Sequence, residues 1–575
     1  MGEATGRALI LGALLAVVFG AANAYIGLKV GMTVSASIPA AVVSMAILRG
    51  ILRRGTILEN NIVQTIASAG ESLAAGVIFT IPGMVLLGMK VSMLQIFVIS
   101  LVGGLLGVFM MIPLRKRLIE EEHDVLPYPE GTACARILKA GEEGGHKAGM
   151  VFKGFGLGAL FKVLTETRLL KSTPGLAIGG LRGYIGLDMS PSLIGVGYIL
   201  GLRIAALMFA GGLFGWMVLM PLIGMFQGIT EWNSDTAFTL WSNYIRFIGA
   251  GSVFVGGLLS LIRTMPSIIS SFKDIHFSFS SNGRDLPMGF VLGGVAVAIV
   301  MMITPLLGLP VWVALIAVVA AFVFVAVSSR VVGIVGSSSN PVSGMTIATL
   351  FTISFIFAKL GLTTPKWMFT ALALGAVVCI AAAIAGDTSQ DLKTGYLVGA
   401  TPSHQQIAEL IGVLLSAIFV GWTLMLLHKA YGFGTRELLA PQAKVMSMVV
   451  EGVLKGTLPW TLVFVGALAA ITVELLGVRS LPFAVGLYLP IELSATVLVG
   501  GLLSKIRRNE SGILAASGLV AGDAIMGIVV AIFVASGAKT ELLRALNLGD
   551  LGSALVFVIL AWLFMRLIWR DKTEA

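Results

Sequence analysis

The sequence predicts an all-α, polytopic integral membrane protein of about sixteen transmembrane helices, with internal repeats and broken or re-entrant segments. Three observations carry that expectation. Of the 575 residues 57% are hydrophobic and only 12% charged, whereas a soluble domain carries about 25% charged residues. Mean hydropathy is +0.97, and apolar runs of spanning length follow one another from end to end. This composition lacks the polar surface of a globular or disordered chain. It also excludes nucleic acid as a partner, despite a net charge of +10; the excess Lys and Arg belong to loops that touch a cytoplasmic leaflet, so membrane lipids are the expected partner. Two cysteines, Cys134 and Cys379, and five scattered histidines form neither a disulfide framework nor a structural zinc site.

In chain order the apolar runs fall at 7–28, 33–49, 59–88, 91–113, 148–165, 192–210, 211–229, 244–264, 287–306, 310–328, 342–361, 365–386, 406–428, 445–477, 482–504, 510–535 and 551–569. The first has no small-residue cleavage site leading into a polar mature domain, so it reads as a span rather than a signal peptide. Arg7 precedes it, and Arg566, Arg570 and Lys572 close the last run, which places both termini in the cytoplasm and asks for an even number of crossings. One of the seventeen runs is then not a span. The candidates are 148–165, interrupted by Lys153 and Lys162, and 482–504, broken by Pro490 and Glu492. Arg49 to Arg54, Arg115 to Arg117, Lys429 to Arg436 and Lys505 to Arg508 fit the cytoplasmic face, giving a multi-pass protein of an inner or plasma membrane.

The polar stretch 115–146 reads as a cytoplasmic loop. A second, 273–286, reads as a linker between an N-terminal half, 1–272, and a C-terminal half, 287–575, of about eight helices each. Gly31-Met32-Thr33 recurs as Gly344-Met345-Thr346, and Leu126 and Pro129 recur as Leu438 and Pro441 at almost the same offset. Repeats of this kind build secondary transporters, whose substrate sites lie where helices are broken at the repeat interface. Whether the copies run parallel or inverted is open at this stage. Gly103-Gly104 and Gly256-Gly257 permit close packing within a protomer or in a homo-oligomer equally.

Polar residues inside apolar runs should face a cavity or another helix, because hydrocarbon satisfies none of them. Asn60, Gln64 and Glu71 share one helical face, with Gly70 and Gly76 permitting a break. The stretch from Gly386 to Tyr396, with Asp387, Gln390, Asp391 and Lys393, resembles an unwound cavity lining, the alternative being a solvated surface loop. Asn340 and Ser343 precede a helix whose free N–H groups would suit an anion. Asn23, Tyr25 and Lys29 end the first run, Tyr488 and Glu492 flank Pro490, and Asp523 sits within 510–535. Lys29 also fits a snorkelling role.

Several of these stretches together resemble the oligopeptide transporter family: Asn23 to Thr33, Leu126 to Ala133, Asn340-Pro341 with Ser343 to Thr346, and Gly386-Asp387 with Gln390 to Pro402. The Pro-Tyr-Pro-Glu-Gly-Thr run at 127–132 is closer to its prokaryotic and yellow-stripe-like branch. The resemblance spans the chain and implies a carrier, commonly proton-coupled, moving small peptides or metal chelates of nicotianamine and phytosiderophore type. It implies no cofactor. No His, Cys or paired-carboxylate cluster suits a bare metal ion, so a metal would travel inside its chelator.

The expected substrate-binding residues are Asn23, Tyr25, Lys29, Asn60, Gln64, Asn340, Ser343, Asp387, Gln390, Asp391, Lys393 and Tyr488. A zwitterionic ligand would put its carboxylates on the helix start at 340–345 and on Lys393, and its amino group on Glu71 or Asp387. Glu71 is the first choice for proton coupling and Glu492 the second. A membrane enzyme is the competing class, since Asp387 and Asp391 form a D-x-x-x-D pair. No second acidic cluster completes a metal clamp, and no nucleophile–His pair or P-loop is present. A channel fares no better, because nothing resembles a ring-forming filter.

Overall fold

The computed structural model describes residues 2–31, 33, 35–143, 148–273, 284–337, 340–456, 459–536, 543 and 546–569. Met32, Ser338, Ser339, His146, Arg570, Lys572 and most of the expected linker, 274–283, lie outside them. Among the described residues ten helices are long and apolar enough to cross a membrane, from Gly6–Val30 to Gly549–Trp569. Shorter apolar helices accompany them, including Met288–Ile303 and Trp460–Leu475.

Burial is inverted relative to a soluble protein. Asn60, Asn61, Gln64, Asp391, Gln406 and Glu409 are buried, while Ile10, Leu14, Ile418, Trp422, Leu555 and Val558 are exposed. That arrangement is stable only where the outer solvent is hydrocarbon. The all-helical, polytopic expectation therefore stands.

Local sequence sets the helix boundaries. Ile57–Ile78 opens with a reciprocal capping box between Thr56 and Glu59, and Met93–Arg115 opens with one between Ser92 and Gln95; each satisfies two N–H groups that no helical carbonyl can reach. The helix continues unbroken through Gly70 and Gly76, and its break comes instead at Phe79–Thr80, ahead of the short helix Ile81–Leu86. Run 445–477 is two helices, Pro441–Lys455 and Trp460–Leu475. Run 482–504 is likewise two, Ser480–Tyr488 and Ile491–Ile506, parted at Leu489 and Pro490. Run 148–165 is helical as Ala148–Glu166, with Lys162 paired to Glu166 at 2.7 Å.

One expectation fails outright. The stretch 386–396 is neither unwound nor a surface loop: Pro365–Val398 is one continuous helix of 34 residues, ended by Gly399 at φ 79°. Every residue from Thr370 to Gly395 is buried. Its polar residues need no unwinding because hydroxyls bond back along the helix, as Ser389 does to Gly386 O at 2.6 Å, while the longer side chains find partners on neighbouring helices. The stretch 115–146 is only partly a loop, since it contains the helix Pro129–Glu143.

The chain forms two compact units, residues 1–148 with 261–457, and residues 149–260 with 458–575. Each draws on both sides of the linker expected at 273–286. In the first unit Pro365–Val398 is the hub, packed against Ile57–Ile78, Met93–Arg115, Val311–Val335, Val342–Lys359 and Pro129–Glu143. The second is built around Pro191–Leu200, Leu202–Leu213, Ser480–Tyr488, Ile491–Ile506 and Glu510–Ala535. It also contains an antiparallel hairpin, Gly175–Ile178 with Gly183–Gly186, a small departure from the all-helical reading.

Candidate functional site

In the first unit the helix Ile57–Ile78 turns its polar face toward the C-terminal third of Pro365–Val398. Gln64 donates its amide to Asp391 Oδ1, which also accepts from Ser37 Oγ at 3.2 Å. Ser37 meets Ser68 at 2.9 Å. Asn61 donates to Gln64 Oε1 at 3.2 Å, which orients that amide, and Asn60 is held by Ser44 at 2.9 Å and Thr56 O at 3.0 Å. Two turns beyond Gln64, Asn23 donates its amide to Glu71 Oε1, while Glu71 Oε2 accepts the Ala36 N–H at 3.2 Å, just ahead of the helix Ser37–Met45. Glu71 thus joins three segments of the chain.

On Pro365–Val398 the polar residues divide by task. Gln390 donates to Val332 O at 2.8 Å and accepts the Gly131 N–H at 2.7 Å; with Thr394 on Gly131 O at 3.0 Å it docks the helix Pro129–Glu143. Lys393 Nζ lies 2.6 Å from His123 Nδ1 and donates to Leu126 O at 3.3 Å, so it ties the loop 122–126 to the hub. Asp387, in contrast, has one oxygen with no hydrogen-bond partner, and the same holds for Asp391 Oδ2 and Asn340 Oδ1. Asn340 Nδ2 donates to Ser328 Oγ at 2.7 Å, leaving that carbonyl as an unused buried acceptor. Ser343 is buried in the first turn of Val342–Lys359. Tyr25 is buried beside Tyr431, and Lys29 is half-buried in the last turn of its helix.

Two expected residues belong to the second unit. Tyr488 OH accepts from Arg246 Nε at 3.1 Å and its carbonyl accepts from Trp241 Nε1 at 3.1 Å. Glu492, in the first turn after the Pro490 break, accepts from Tyr184 OH at 2.8 Å. Asp523 accepts from Ser190 Oγ at 2.5 Å, at the start of Pro191–Leu200.

Sequence reasoning missed Glu409, which is fully buried on Pro402–Tyr431. It stands at the edge of an apolar run, where a carboxylate reads as the solvated end of a span. The available signal is Gln405 four residues earlier, with Gly412 and Ser416 continuing the same face. Glu409 and Asp391 face each other. Among the described residues no ion pair joins Glu71, Asp387, Asp391 or Glu409 to a Lys, Arg or His, and no group of three or more His, Cys, Asp or Glu is placed to hold a metal.

Long apolar helices, lipid-facing exteriors and a buried polar constellation at a helix hub define a polytopic membrane protein of the transporter class. Residues 3–534 match the model of the OPT oligopeptide transporter protein family. The chain is 31% identical to a Haemophilus influenzae protein named for oligopeptide transport, over 95% of this chain and 100% of that one. It is 24% identical to an Oryza sativa protein named for metal-nicotianamine transport, over 91% and 84%. A second rice protein, an iron-phytosiderophore transporter by name, is also 24% identical, over 91% and 90%. The chain belongs to the OPT oligopeptide transporter family, and it is a transporter of that family.

Proposed function

We propose that this transporter carries small peptides inward across an inner or plasma membrane in symport with protons, with both termini cytoplasmic. The observation that carries the reading is the pair of buried, unpaired acceptors at the hub helix, Asp387 Oδ1 and Asn340 Oδ1. Buried acceptors without donors are costly, and a peptide supplies what they lack, an ammonium group and backbone N–H groups. From the same unit the proposed contact set takes in Asn23, Tyr25, Lys29, Asn60, Gln64, Gln390 and Ser343; Tyr488 belongs to the second unit and is left out. Lys393 is left out of it, because His123 and Leu126 take its donors.

A metal chelate is the second reading, favoured by the rice relatives named for metal-nicotianamine and iron-phytosiderophore transport. Aminocarboxylate chelators present ammonium and carboxylate groups much as peptides do, so the same acceptors serve either cargo.

The test is uptake into vesicles containing the purified protein, with a labelled peptide panel and a ferric chelate, each with and without an inward proton gradient. Gradient-driven accumulation of peptide is expected. Accumulation of the chelate alone would move the substrate to the second reading, and indifference to the gradient with either cargo would refute proton symport.

A further inference from the structure

Asp391 and Glu409 come from adjacent helices, Pro365–Val398 and Pro402–Tyr431, and both are fully buried. Gln405 fixes the seam between them: its amide donates to Asp391 O at 2.8 Å and to Thr65 Oγ1 at 3.3 Å. Gly395 makes room for that amide, since a Cβ there would collide with the Gln405 side chain.

Hydrogen bonding around the pair is one-sided. Asp391 Oδ1 is saturated by Gln64 and Ser37. Asp391 Oδ2 and both oxygens of Glu409 make no well-formed hydrogen bond, although the two carboxyl groups confront each other and the hydroxyls of Ser68 and Thr388 lie beside them. Thr388 Oγ1 adjoins Glu409, and Ser72 Oγ adjoins Asp387. Among the described residues the titratable groups that act on the pair are acidic or neutral: Asp387 on the same helix, Glu71 on Ile57–Ile78, and Cys134 on Pro129–Glu143, with Glu130 behind Glu71 and Asp387; Lys393, two residues further along the hub, is turned to His123 and Leu126. Glu71, the first choice from sequence, differs in having a donor on each oxygen.

Two facing acceptors with no donor between them lack one hydrogen. We propose that Asp391 and Glu409 hold a single proton between them, as an O–H of one accepted by the other, and that this proton is the coupling ion. The inference rests on the proton-symport reading above. Release of the proton to water leaves two carboxylates in contact, and their repulsion drives apart the seam that Gln405 closes. Binding of a proton from the opposite side restores the bond and the seam. No other atom changes hands.

Asp391→Asn and Glu409→Gln test this directly, because each amide supplies the donor that the proton supplied and keeps the volume. Two measurements on the full-length protein are needed. Infrared spectroscopy of the purified carrier should show a protonated-carboxyl C=O band in the wild type that is lost in each variant and kept in Glu71→Gln. In vesicles each variant should lose gradient-driven accumulation while retaining counterflow exchange of substrate. Wild-type accumulation by Glu409→Gln would overturn the proposal while leaving proton symport intact. Persistence of the band in both variants would overturn it too, as would wild-type accumulation that follows a sodium gradient instead of a proton gradient. If the wild type ignores every gradient, the symport reading fails with this role for the proton, and the infrared band alone decides whether the pair shares one.

Discussion

Lys393 Nζ sits 2.6 Å from Nδ1 of His123, and its remaining reach goes to the carbonyls of His123 and Leu126 at 3.4 and 3.3 Å. The rings of Tyr128 and Tyr396 lie 5.5 and 5.9 Å from the same ammonium, near enough for cation–π attraction. This lysine holds the loop that follows Met93–Arg115 against the hub helix, two residues beyond Asp391. Lys393→Met should therefore cost about 1–3 kcal/mol by stranding buried acceptors, seen as a lower unfolding midpoint in detergent, with substrate affinity unchanged. Lys393→Arg should rescue it only in part, because a planar guanidinium does not fit acceptors arranged around a point charge. Loss of affinity at wild-type stability would return Lys393 to the substrate.

Gly131 is where the helix Pro129–Glu143 touches the hub most closely. Its N–H reaches Gln390 Oε1 at 2.7 Å, and a Cβ on it would run into the Gln390 backbone carbonyl. Backbone cannot yield as a side-chain tip can, so Gly131→Ala should force the two helices apart at a cost of about 1–3 kcal/mol. The same substitution at Gly149, where a Cβ would meet nothing within 4 Å, should leave stability near wild type. Comparing thermal unfolding of the two variants checks this, and equal midpoints would refute the close contact.

Much of this was legible in the sequence, and the rest was hidden for physical reasons. Hydropathy located nearly every helix because lipid imposes an apolar exterior regardless of partner. Pro490 announced the break at 489–490, and the spacing of Asn60, Gln64 and Glu71 announced one buried polar face. The stretch 386–396 misled because polarity at membrane depth suggests an open backbone, yet here Val332 and Gly131 hold Gln390, His123 holds Lys393 and Gln64 holds one oxygen of Asp391. Those partners are distant in sequence and leave no local trace. Glu409 was overlooked for the same reason: its significance lies in Asp391, on another helix. The hairpin at 175–186 consists of two four-residue strands, too short for alternation to register.

Near the N-terminus, Glu3 accepts from Thr401 N at 3.1 Å, Thr401 Oγ at 2.8 Å and His404 Nδ1 at 3.0 Å, fastening the chain to the start of Pro402–Tyr431. Burial works to raise this carboxyl, but the hydrogen bonds from Thr401 and His404 outweigh it and hold the group below its ordinary value. A carboxyl lowered by folding stabilises above its unfolded pKa and loses that contribution as pH falls through its folded one. The gap in unfolding midpoint between wild type and Glu3→Gln should be at full size above about pH 5 and shrink as pH falls below about 4. A gap that widens on acidification would contradict the assignment.

In the second unit Tyr184 joins the hairpin to the broken helix. Its hydroxyl donates to Glu492 Oε1 at 2.8 Å, while its ring packs on Trp216 and Phe238 at centroid distances of 5.4 and 5.3 Å. The chain leaving the hairpin is held by the same helix, through Asp188 N on Glu492 O at 3.2 Å and on Thr496 Oγ1 at 3.1 Å. Tyr184→Phe keeps the ring contacts and removes one buried hydrogen bond, worth about 1 kcal/mol. Local opening should then rise roughly fivefold, read as faster amide exchange across 183–189. Glu492→Gln retains an acceptor for the phenol and should exchange like the wild type, whereas Glu492→Ala should behave like Tyr184→Phe. If Glu492→Gln also loosens the hairpin, the ionised carboxylate rather than the hydrogen bond holds it. If none of the three changes exchange, the aromatic packing alone anchors the strand pair.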